Sequence, residues 1–207
     1  MKTLTKEMQS AITPSMALDL LKDGNKRFVN NLKINRNLLQ QANDTSDGQH
    51  PFAVILSCID SRTSAELIFD QGLGDIFSVR IAGNIVNEDI LGSMEFGCKV
   101  AGAKIIVVLG HTKCGAVKGA CDNVALGNLT GLIAKIKPAV DQELTTTDNR
   151  NSSNPTFVEN VAELNVSLSV KNILLKSPII AELVKNEEIT IVGGVHDIST
   201  GEVKFFE

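Results

Sequence analysis

The chain has 207 residues, 43% of them apolar, with a net charge of −4 and a pI near 5.5. That length and apolar share are enough to bury a core in one domain, while the mild acidity excludes a broad basic footprint for nucleic acid or an anionic membrane. No run approaches the roughly 20 apolar residues that cross a bilayer, and residues 1–13 lack the apolar centre of a signal peptide, so a cytoplasmic protein is expected.

Thr13-Pro14 pairs an N-cap residue with proline at the first helical position, and Ala17, Leu18, Leu21, Phe28 and Leu32 supply an apolar face beyond it. This predicts an N-terminal helix. Residues 43–50 are polar and lead as a loop into a strand at 52–57. After Cys58 the pattern gives a short helix at 64–70, a strand at 76–81, and a helix at 88–100 with Ile90, Met94 and Ala101 on one face. The β-branched run 104–109 predicts a strand buried on both sides. Helical segments come next at 116–126 and 129–144, then a polar run at 145–154, two more helical patterns, and a strand at 189–195 that turns at Thr200-Gly201 into 203–206. Strands alternating with helices predict an α/β fold, a parallel-centred β-sheet flanked by helices. The run 145–154 has the composition of a linker, but the chain beyond it is too small for an independent core, so a single domain over 1–207 is expected.

Two short segments carry chemistry: Cys58-Ile59-Asp60-Ser61-Arg62 and His111-Thr112-Lys113-Cys114, each directly after an apolar run. Two thiolates and one imidazole spaced Cys-x52-His-x2-Cys are a zinc set with one position open, which implies catalysis. A closed structural zinc with Asp60 as fourth ligand is the alternative. Asp60 and Arg62 are one residue apart, so the guanidinium can grip the carboxylate bidentately and hold it ionised. Gly110 and Gly115 match the glycines of a phosphate-binding loop, but Ala116-Val117 stand where Lys and Ser or Thr must come. A cysteine phosphatase is excluded because Arg62 lies four residues after Cys58, whereas that chemistry needs an arginine two residues farther on. Cys98 and Cys121 have no such setting and are expected as buried structural thiols.

With "SCIDSR", "GHTKCGAV", "VRIAGN", the entry segment "TPSMALDLLKDGNKRF" and the terminal "GGVHDISTGEV", the chain resembles the β-class carbonic anhydrases over nearly its whole length. The resemblance implies one Zn²⁺ per subunit on Cys58, His111 and Cys114, and reversible hydration of carbon dioxide to bicarbonate and a proton. Attack would come from zinc-held hydroxide, assisted by an Asp60–Arg62 dyad. In a closed form Asp60 would itself bind the metal, an arrangement expected to gain population below about pH 8 as hydroxide is protonated to a more easily displaced water. Gln49, Phe77, Phe96 and Gly115 would line a substrate pocket at the interface of a homodimer or higher homo-oligomer. An N-terminal helical arm would pack on the partner.

Three positions depart from common family patterns. Phe96 stands where many members have a pocket tyrosine and cannot donate a hydrogen bond. Ile55 replaces the tryptophan that accompanies an inhibitory bicarbonate site in one subset, and the chain has no Trp or Tyr. His196 replaces the tyrosine of the terminal "YD" and is expected to be structural. Hydrolysis of carbonyl sulfide or carbon disulfide on the same scaffold, and a noncatalytic zinc-stabilised interaction domain, are the rival functional readings.

Overall fold

The apolar runs of the sequence pair into one five-stranded sheet in a computed structural model that describes residues 3–206. Its strands are β1 (Ala53–Ser57), β2 (Ile76–Arg80), β3 (Ile105–His111), β4 (Thr190–His196) and β5 (Val203–Phe205), in the order β2-β1-β3-β4-β5. The first four are parallel and β5 closes one edge antiparallel to β4. Every residue of β1 and β3 is buried, as a strand covered on both faces requires. The register pairs Ser57 with Leu109 and with Arg80, and His111 with His196, so the carboxyl ends of all four parallel strands meet at one edge.

Among the described residues ten α-helices cover this sheet: α1 (Lys6–Ala11), α2 (Pro14–Val29), α3 (Leu38–Asp44), α4 (Ala65–Ile68), α5 (Glu88–Glu95), α6 (Gly115–Cys121), α7 (Gly127–Ile133), α8 (Lys137–Gln142), α9 (Pro155–Lys176) and α10 (Pro178–Lys185). On one face Ala17 and Leu21 of α2, with Ala65 and Ile68 of α4, pack on Ala53, Ile55, Ile105 and Val107. On the other, α5, α9 and α10 cover Val54, Leu56, Ile106 and Val108. Each fully buried Val, Leu or Ile side chain among these contributes about 1.5–3 kcal/mol. A third cluster, including Val117, Ile133, Ile136 and Phe157, lies around Cys58 and Cys114. Among the described residues no helix is long and apolar enough to cross a membrane.

Local chemistry sets the element ends. Thr13 caps α2 by accepting the Met16 N–H at 3.2 Å, and Asn154 caps α9 by accepting that of Phe157 at 3.2 Å. Two expectations need correction. Residues 129–144 do not form one helix but α7 and α8, separated around Ile136 where Pro138 starts a new helix. The helix at 88–100 is α-helical only to Glu95 and continues as a π turn over Phe96–Val100. The expected N-terminal helices are present: the inner side of α2 packs on its own sheet, and in α1 Gln9 Nε2 donates to the Pro51 and Ala101 carbonyls at 2.7 Å each. The outer side of these two helices still exposes Met8, Met16 and Leu20.

The polar run after α8 is tied back to the fold through Arg150. Arg150 donates to Glu143 Oε2 and to the Val140 carbonyl at 2.8 Å each, and its guanidinium lies 4.7 Å over the Phe157 ring.

Candidate metal centre

Two parallel strands deliver the three donors. β1 stops at Ser57, leaving Cys58 as the first residue beyond the sheet, while β3 continues two residues past its apolar run to include His111. Cys114 then stands at the N-cap of α6. The turn between His111 and Cys114 passes through Lys113 at φ 58°, and three contacts hold it. The Thr112 N–H donates to the His196 carbonyl at 3.0 Å, Thr112 Oγ1 accepts the Ile198 N–H at 3.1 Å, and Glu159 Oε1 accepts the Lys113 N–H at 3.0 Å. One ligand atom each from Cys58, His111 and Cys114, all buried, lie within 4.8 Å of one another.

The electrostatics suit a divalent metal. A hydrogen bond from Cys114 lowers the Cys58 thiol against the opposing effect of burial, and the Cys58 sulfur in turn raises that of Cys114: the two share a proton that a cation displaces. The Gly83 N–H also points at Cys58 Sγ, 3.4 Å away. Gly83 has φ +67°, and a Cβ there would meet Ile136 Cδ1 at 2.5 Å, so only glycine brings this amide to the sulfur. His111 Nδ1 donates to the Thr112 carbonyl at 3.0 Å, which fixes the tautomer and leaves Nε2 with a free lone pair. That Nε2 is buried without a hydrogen-bond partner. A buried lone pair with no partner, beside two sulfurs that share one proton, fits a soft-donor metal site of the zinc type.

Beside the trio, Arg62 Nε donates to Asp60 Oδ1 at 3.0 Å and Nη2 to Oδ2 at 2.7 Å. The Arg62 guanidinium holds the Asp60 carboxyl well below the usual carboxylate range. Asp60 is therefore an ionised acceptor turned towards arginine, outside the trio. The carbonyls of Cys58 and Asp60 are gripped by Arg80 and Thr63. Sequence reasoning passed over both of these residues and Gly83. The available signal was an arginine at the last position of the edge strand, with a glycine three residues on, in "VRIAGN".

The carbonic anhydrase family profile matches residues 53–203. The chain belongs to the β-class carbonic anhydrases. It is 34% identical over 189 residues to carbonic anhydrase 2 of Mycobacterium tuberculosis, covering 91% of this chain and 90% of that one. It is 33% identical over 193 residues to the Mycolicibacterium smegmatis carbonic anhydrase, covering 92% of both. Among solved structures, the Aspergillus fumigatus β-carbonic anhydrase CafA superposes with a TM-score of 0.72 at 26% identity, covering 93% of this chain and 90% of that one. A β-carbonic anhydrase of Sordaria macrospora, described as tetrameric, gives 0.68 at 27% identity over 78% of this chain and 83% of that one.

In this carbonic anhydrase one expected pocket residue, Gly115, adjoins the trio, and the other three stand away from it in the same chain. Gly115 comes directly after Cys114 and is exposed. Phe77 pairs with Val54, four positions before Cys58 and so about 13 Å back along the sheet. Phe96 has its ring 6.1 Å from that of Phe77 and is 55% exposed. Gln49 precedes β1, beside Gly74. His196, though distant in sequence, lies opposite His111 in the β3–β4 register. It is buried with neither ring nitrogen paired, and burial together with the neighbouring His111 lowers its pKa to about 4. Cys98 and Cys121 are buried free thiols, and burial raises their pKa to about 12 and about 11.

Proposed function

We propose that this chain catalyses the reversible hydration of carbon dioxide with one Zn²⁺ per subunit, held by Cys58, His111 and Cys114, and with Asp60 and Arg62 as the catalytic dyad. The observation that carries this reading is the buried trio with its unpaired imidazole nitrogen, standing next to a carboxylate already locked in its ionised form. Zinc supplies Lewis acidity there, which makes water a nucleophile close to neutral pH. The remaining work falls to the chain. Asp60 accepts a hydrogen bond from the nucleophilic oxygen and so turns a lone pair towards the carbon of carbon dioxide, while Arg62 keeps the carboxylate oriented and charged. Release of that grip would let Asp60 close the site as a fourth ligand. Stopped-flow measurement of proton release from carbon dioxide is the test: the zinc-loaded protein should turn over and Asp60→Asn should not. Zinc bound without hydration would overturn the assignment.

The homo-oligomer belongs to the same proposal. Gln49, Phe77 and Phe96 stand towards the opposite end of their own sheet from the trio, so they complete a substrate pocket only when a second copy presents them. Exposed Phe96, whose ring meets Phe77 of the edge strand β2, and exposed Val100 give that copy apolar surface to cover.

A further inference from the structure

Arg80 closes β2, the edge strand, and its guanidinium folds back over the backbone that leaves β1. The pairing of β1 with β2 ends at Ser57 and Arg80, and the last ladder contact is the Ile81 N–H to the Ser57 carbonyl at 3.0 Å. From Cys58 onward the backbone has left the sheet, and the Arg80 side chain takes over where the ladder stops. Its Nε donates to the Cys58 carbonyl at 3.0 Å and its Nη2 to the Asp60 carbonyl at 2.6 Å. One planar fork thus spans the residue that carries the first sulfur of the trio and the residue that carries the dyad carboxylate.

Thr63, 1% exposed, reaches the same two carbonyls from within the turn. Its Oγ1 lies 2.9 Å from the Asp60 carbonyl and 3.3 Å from that of Cys58, and its N–H donates to the Asp60 carbonyl at 3.0 Å. A hydroxyl has one proton to give, so the Asp60 carbonyl takes most of what Thr63 offers. The Cys58 carbonyl depends on Arg80. A lysine in this place could satisfy one carbonyl with a point charge but could not hold two at a fixed separation.

We propose that Arg80 is a positioning residue for the reaction: its guanidinium sets the spacing between the Cys58 sulfur and the Asp60–Arg62 pair. This rests on the dyad reading above. A displacement of the order of 1 Å between reacting groups costs up to about a hundredfold in rate, which is the scale on which the fork acts.

Arg80→Lys tests it. The position is exposed on an edge strand, so the core is untouched and the charge is kept. In the zinc-loaded variant kcat should fall about tenfold with KM changed less than about twofold, the pattern of lost positioning rather than lost binding. In the cobalt(II)-substituted variant the visible absorption band should shift, because the Cys58 donor has moved. Thr63→Val should weaken the same turn, and the double variant should depart from additivity, since both residues act on the same two carbonyls. Wild-type kcat and an unchanged cobalt band in Arg80→Lys overturn the proposal. So does a fall in kcat with an unchanged band and a dissociated oligomer, because Arg80 would then act through a subunit contact. An Arg62→Ala control separates the two readings: wild-type turnover there removes the dyad, while the cobalt band still reports on Arg80.

Discussion

Arg62 meets Asp60 through three donors of its own, Nε and its backbone N–H to Oδ1 at 3.0 and 2.9 Å and Nη2 to Oδ2 at 2.7 Å. The backbone contact closes a local turn, so the carboxylate is fixed by the main chain as well as by the guanidinium. Arg62→Ala keeps the turn and all three metal donors but frees one side of the carboxylate. Zinc content should remain near wild type while kcat falls about a hundredfold. Metal analysis combined with stopped-flow turnover checks this, and wild-type turnover would remove Asp60–Arg62 from the chemistry.

Cys58 is the one member of the candidate trio that follows β1, and on the proposed reading neither of the other two can take its place. Cys58→Ser keeps an acceptor for the Gly83 N–H but removes a thiolate. Zinc remaining after dialysis should drop to roughly a tenth of wild type or less, and carbon dioxide hydration should fall with it. Full occupancy and full activity in the variant would exclude Cys58 from the site.

How much the sequence revealed depends on how local each signal is. His111 and Cys114 were legible because both belong to one strand end and the turn after it, and Cys58 because an apolar strand ends in a polar cluster. The parallel centre of the sheet was legible in the alternation of strands with helices. The short helices α1 and α3 were not legible, because their own periodicity is too brief and a buried glutamine ties each to distant backbone: Gln9 to Pro51 and Ala101, Gln41 Oε1 to the Leu73 N–H at 3.2 Å. Arg80 was missed for the same reason. Its partners are carbonyls 20 and 22 residues away, and a carbonyl leaves no mark on the sequence.

Glu143 predicts an acid-linked loss of stability. Its side chain is 1% exposed, and burial alone would push its pKa up, but donors from Thr145, Asn160 and Thr146 outweigh that and hold it at about 2, against an ordinary 4.5. A carboxyl depressed on folding stabilises fully above pH 4.5, and that contribution is lost as pH falls from there to about 2. In chemical unfolding, wild type should exceed Glu143→Gln by on the order of 1–3 kcal/mol at pH 7, with the gap closing towards pH 2. A gap independent of pH would show that the carboxylate charge does not hold the 145–154 loop.

Gln49 gives the sharpest test of a shared site. It precedes β1, whereas Cys58 comes after it, so one subunit's Gln49 is separated from its own trio by the length of the strand. If a second copy completes each pocket, Gln49→Ala and Cys58→Ser should each lower activity on their own and complement one another when mixed. A hybrid dimer contains one pocket in which the Gln49→Ala subunit supplies an intact trio and the Cys58→Ser subunit supplies an intact Gln49. Random pairing makes half of all dimers hybrid with one of two pockets whole, so co-expression should restore about a quarter of wild-type turnover. Were Gln49 to serve its own subunit, no combination would contain a whole pocket, and the mixture would give only the mean of the two variants.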